Sequence, residues 1–202
     1  KLLDEGGGTV VLPYEYSHNE YGKVTLHHTS ERIFNGRLSW QWQDRVHEWA
    51  KCDDPAPYRF VRLPIVKHHR QPDEARTARN TRLLELMLAE NPEHERALFH
   101  YADNLYAAQE YERALDQYVR CHARETREPF QFHTATQAAE CCLKIGDYGN
   151  AAQWAMVAID MRPAFKDGYL LRARTAADME DWEKCLFWLD EASDKQECTG
   201  DN

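Results

Sequence analysis

The sequence predicts an α+β fold class, with a strand-rich part up to about residue 70 and an all-α repeat array after it. Two observations carry this. Upstream of "HHRQPDEARTARN" the apolar residues come in short β-branched and aromatic runs, whereas downstream they recur at helical spacing. The helical part also repeats itself around three aromatic anchors, Tyr111, Tyr148 and Trp182.

In chain order, "TVVLPYEY" and "KVTLHH" read as two strands joined by the turn-forming "SHNEYG", hence as a hairpin. "YRFVRLPIVKH" reads as a further strand. "RNTRLLELMLAENP" reads as a helix that stops before Pro92, because proline disfavours helical geometry in the residue before it. The expected organisation is residues 1–70 as one domain, 71–95 as a connecting helix and incomplete repeat, 96–195 as three repeats, and 196–202 as a flexible tail.

Three residues beyond the anchors stand Ala114, Ala151 and Cys185, and seven beyond stand Tyr118, Ala155 and Leu189. Ten beyond stand Cys121, Ala158 and Ala192, and nine before stand Ala102, Ala139 and Ala173. Small residues at such offsets let the two helices of a hairpin approach closely. The spacing is 37 residues and then 34, the first lengthened by the insertion-like "ARETREPFQF". The second value is the tetratricopeptide period, and "KIGDYGNAAQWAMVAIDMRP" resembles that family through Gly146, Tyr148, Ala151, Ala158 and Pro163. Stacked hairpins form a curved solenoid whose first helices line an inner surface. Arg96, Phe99, Asp103 and Tyr106 of the first repeat, with His133, Thr136 and Glu140 of the second, are the expected partner-binding positions.

A net charge of −9 and a pI near 5.6 argue against a nucleic-acid surface, which needs a basic footprint. No apolar run approaches the roughly 18 residues of a membrane helix. The six cysteines show no C-x-x-C spacing and read as reduced thiols, so a cytoplasmic location is expected. Solenoid ends that lack a polar cap also make self-association an expectation.

The segment "WQWQDRVHEWA" sets tryptophans around the adjacent pair His47-Glu48. It is not a zinc-protease motif, because H-E-x-x-H needs a second histidine where Lys51 stands. "GGG" at residues 6–8 lacks the spacing and the lysine of a phosphate loop. What remains is a glutamate base beside an imidazole that positions a metal or a phosphate oxygen.

"ERIFNGRLSWQWQDRVHEW" resembles the late catalytic segment of family 2 glycosyltransferases, and "VKHHRQPDEARTARNTRLLELMLAENP" resembles the subgroup that carries tetratricopeptide repeats. The resemblance implies a GT-A type α/β catalytic domain and inverting transfer of a sugar from a nucleotide-sugar to a protein or glycan acceptor. It makes Glu48 the catalytic base and assigns Arg32, His47, Trp40 and Trp49 to the donor and its diphosphate. His47, His68 and His69 become candidate metal ligands. No Asp-x-Asp occurs, so the divalent ion (Mn or Mg) is expected mostly on a half preceding Lys1. The chain then reads as the C-terminal part of a longer enzyme, inactive alone. The competing expectation is a non-catalytic tetratricopeptide protein-binding module.

Overall fold

The computed structural model describes residues 8–18, 24–53, 58–60, 66–67 and 74–196. The chain divides into two compact units, Lys1–Asp73 and Glu74–Gly200.

In the first unit, β1 (Thr9–His18) and β2 (Val24–Phe34) pair antiparallel, from Thr9 opposite Phe34 to His18 opposite Val24. Further strands are β3 (Trp40–Gln43), β4 (Trp49–Cys52), β5 (Tyr58–Phe60) and β6 (Val66–Lys67). Both β5 and β6, which fall within the expected strand "YRFVRLPIVKH", pair parallel with β1. Phe60 lies opposite Val11 and Val66 opposite Tyr14. Pro13, between Val11 and Tyr14, has no N–H to offer a neighbouring strand. A parallel sheet of a GT-A domain has both faces covered by helices. Among the described residues of this unit there is no helix, and the GT-A half is not shown.

The second unit contains α1 (Glu74–Glu90), α2 (Glu95–Ala107), α3 (Tyr111–Arg124), α4 (Glu128–Ile145), α5 (Tyr148–Met161), α6 (Asp167–Asp178) and α7 (Trp182–Ser193). Each helix packs on the next, and α4 also touches α6. This is a tetratricopeptide-type array: α1, then the hairpins α2–α3, α4–α5 and α6–α7. The small-residue columns lie at the helix crossings, where Ala102, Ala114, Ala139 and Ala151 are fully buried.

The three hairpin turns are built alike. Two residues before each anchor the backbone is left-handed, at Gln109 (φ 62), Gly146 (φ 80) and Glu180 (φ 59). The next N–H then reaches back to a carbonyl of the first helix: Glu110 to Leu105 at 2.9 Å, Asp147 to Cys142 at 2.8 Å, Asp181 to Ala176 at 2.8 Å. These are the long-range bonds of a Schellman motif, and they satisfy carbonyls that the helix end leaves open. Asp147 and Asp181 then cap the second helices by accepting from the backbone N–H of Asn150 and Lys184.

"ARETREPFQF" is not simply an insertion. Its second half forms the first turns of α4, with Pro129 in the first turn and the buried Glu125 carboxylate accepting from the backbone N–H groups of Thr126 and Arg127. The segment thereby sets where α4 enters the stack.

Candidate binding face

Helix periodicity places residues fifteen, twelve and eight positions before each anchor on one side of the first helix of each hairpin. In α2 these are Arg96, Phe99 and Asp103, with Tyr106 a turn further on; in α4 they are His133, Thr136 and Glu140. The same offsets in α6 give Asp167, Leu170 and Arg174, a third set that the sequence reading left out although the offsets specify it.

Stacking brings the first two sets into contact. The Phe99 ring lies 5.2 Å from the His133 ring and 5.4 Å, edge to face, from Phe130. Arg127 stands 4.2 Å over Phe130. Phe130 was also missed by the sequence reading, and the proline beside it was the available signal of a helix start. Asp103 Oδ1 accepts from the Tyr118 hydroxyl at 2.7 Å and lies 3.5 Å from His133 Nε2. Tyr118 itself is 1% exposed, and burial, then the Asp103 charge, pushes its phenol far above the usual tyrosine range. Tyr106 meets Tyr111 edge on at 5.4 Å, and burial followed by the Glu140 charge pushes its hydroxyl up. Thr136 Oγ1 bonds back to the His133 carbonyl, and Arg174 Nη1 donates to both Glu140 oxygens at 2.8 and 3.0 Å.

The charges of this face are therefore uneven. Glu140 is paired with Arg174, whereas among the described residues Asp103 meets the Tyr118 hydroxyl and the His133 ring and no lysine or arginine. Asp167 has a buried Oδ2 with no hydrogen-bond partner.

Three of the thiols are held unreactive by burial. Cys121, Cys141 and Cys142 are buried, and burial first of all pushes them to about 12, 12 and 11, so they stay protonated.

Trp40, His47, Glu48 and Trp49, expected at a catalytic site, lie on one small hairpin. β3 and β4 form a two-stranded hairpin with Gln43 opposite Trp49, and His47 and Glu48 stand exposed in the turn between the strands. His47 has left-handed backbone (φ 56). Trp49 shares a face with Gln43, while Trp40 lies on the other face, because successive side chains in a strand alternate. The two tryptophans thus do not form one wall for a sugar. Trp40 Nε1 bonds the Asn35 carbonyl at 2.9 Å, its ring and Trp42 pack edge-on to Phe34, and Trp49 Nε1 donates to Asp44 at 3.1 Å. Arg32 lies in β2; His68 and His69 lie outside the described residues. Among the described residues no three His, Cys, Asp or Glu side chains converge as metal ligands.

No protein-family model matches the chain, and no curated protein matches it. Solved structures do. "MamA MSR-1 C2" matches with a TM-score of 0.54 at 20% identity over 58% of this chain, and the match spans 66% of that MamA chain, just under two thirds. "MamA AMB-1 P212121" gives 0.53 at 20% identity over 57% of this chain and 66% of its own, and "Crystal structure of MamA" gives 0.51 at 12% over 61% and 74%. At such identities the likeness shows the fold, a helical repeat of tetratricopeptide type. It overturns the enzyme reading: the matching structures named here are MamA, not glycosyltransferases, and the chain is not assigned as a family 2 glycosyltransferase. No described helix is long and apolar enough to cross a membrane.

Proposed function

We propose that this chain is a non-catalytic protein-binding module whose partner lies along the inner face of α2 and α4. The observation that carries the reading is the contact of Phe99 with His133 and Phe130 on successive first helices, which makes one partly exposed aromatic floor from two repeats. Apolar area flanked by charged groups is the usual make-up of a recognition surface. The test is retention of a fluorescent random-peptide library by the full chain and by the Phe99→Ala, Tyr106→Ala double variant. Retention is expected to fall at least tenfold in the variant. Equal retention by both, with the variant folded by circular dichroism, overturns the reading.

A second reading, self-association, rests on α7. Leu186 is 68% exposed and Leu189 44%, and Trp182 and Phe187 are exposed beside them. The residues matching Leu189 in the earlier hairpins, Ala155 and Tyr118, are buried. Sedimentation of the wild type against Leu186→Glu, Leu189→Lys is the check: a concentration-dependent mass lost in the variant supports it, and a monomeric wild type removes it.

A further inference from the structure

We infer that the segment received by the inner face carries an apolar or aromatic residue followed closely by lysine or arginine, the first seated on Phe99, Phe130 and His133, the second on Asp103. This rests on the protein-binding reading above and names the chemistry of its partner.

The apolar seat is the aromatic floor itself. Phe130 is 37% exposed, and Phe99 and His133 are half-buried, so a ring or aliphatic side chain laid across them removes apolar area from water. The cationic seat follows from charge bookkeeping on the same face. Among its carboxylates, Glu140 already holds Arg174 bidentately. Among the described residues Asp103 holds no lysine or arginine: its partners are the Tyr118 hydroxyl, 2.7 Å away, and the His133 ring nitrogen, 3.5 Å away. Its side chain is still 38% exposed and therefore reachable by an incoming ammonium or guanidinium. Of the cations of this face, Arg127, over Phe130, already pairs with Glu125 and Arg174 with Glu140, while Arg96 and Lys144 stand in the first turn of α2 and the last turn of α4, at opposite ends of the stripe. Asp167, with its unpartnered Oδ2, extends the acidic character to α6. A chain of net charge −9 adds a weaker long-range preference of the same sign.

The geometry also sets the spacing. Phe99 and Asp103 are one helical turn apart, about 6 Å along α2. In an extended ligand, side chains two residues apart point the same way and are separated by about 6.6 Å. An extended segment of the pattern apolar-x-basic, read in either chain direction, matches both seats at once.

The experiment is selection from an immobilised peptide library in which one position is Phe, Leu or Ala and the position two residues away is Lys, Arg, Gln or Glu. The probes are the full chain, Asp103→Asn, and the Phe99→Ala, Tyr106→Ala double variant. Asn keeps an acceptor for the Tyr118 hydroxyl, so Asp103→Asn removes the charge with the fold retained. The expected result is at least tenfold enrichment of Phe-x-Lys and Phe-x-Arg over Phe-x-Glu by the wild type, reduced to less than threefold by Asp103→Asn. Wild-type selection that is acidic, or basic selection unchanged in Asp103→Asn, overturns the inference while the binding reading stands. If the double variant retains peptides as well as the wild type does, the binding reading itself fails.

Discussion

His47–Glu48 and His133–Asp103 are both histidine–carboxylate pairs, and they differ in how they are made. His47 and Glu48 are neighbours in sequence, yet both stand exposed in the turn of a two-stranded hairpin. His133 and Asp103 are thirty residues apart in sequence, yet the stacking of α4 on the first hairpin brings Nε2 within 3.5 Å of Oδ1, above the buried Tyr118 hydroxyl. Packing from several elements fixes both members of the second pair, and adjacency along the chain supplies none of that packing.

If stacking is what holds the inner pair, the largest effect comes from the core beneath it. Leu98 is fully buried in α2, one residue from Phe99. Leu98→Ala is expected to cost about 2–5 kcal/mol, read from urea denaturation, and to weaken peptide retention. A cost below about 1 kcal/mol would mean that α2 is held by something other than that core.

The entry of α4 is the next lever. The Arg127 guanidinium and backbone N–H groups hold the buried Glu125 carboxyl below its ordinary value of 4.5. A carboxyl lowered in the folded state adds stability above its unfolded value and loses it as pH falls through the folded one. The helical unit is therefore expected to lose stability as pH drops below 4.5. Glu125→Gln should lower stability at neutral pH by about 1–2 kcal/mol and flatten that acid limb. Thermal melts from pH 7 to 3 decide it, and an unchanged acid limb in the variant removes Glu125 from the account.

A smaller effect, of opposite sign, is expected in the hairpin turns. Gln109 and Glu180 occupy left-handed backbone that the second hairpin gives to Gly146. Gln109→Gly and Glu180→Gly should each stabilise by up to about 1 kcal/mol, seen as a raised Tm, because glycine carries no Cβ penalty there. The smallest effect belongs to the His47–Glu48 pair: Glu48→Gln should change stability by less than about 0.5 kcal/mol and leave peptide retention intact. A loss of retention in that variant would reverse the contrast between the two pairs.

The helical repeat was legible because its physics is local. A small residue at each crossing, an aromatic anchor and a turn signal such as Gly146 all lie within one hairpin, and their recurrence gives the register of the stack. What was not legible depends on contacts between repeats. Phe130 was hidden in an apparent insertion because a buried glutamate and a proline, rather than a hydrophobic period, start α4. The glycosyltransferase expectation came from the order of short motifs around His47-Glu48. Motif order does not encode which face of a hairpin each tryptophan occupies, and Trp40 and Trp49 fall on opposite faces.

The cysteines supply a clock for the array. One hairpin carries Cys121, the next carries Cys141 and Cys142, and all three are shut away from solvent, while the last carries the half-buried Cys185. A thiol reagent reaches a buried sulfur only when its own hairpin opens, so labelling followed by peptide mass mapping times each opening separately. In a stack where each repeat leans only on its neighbours, Cys185 should react first, and the order in which the other two hairpins follow reports which end of the array loosens.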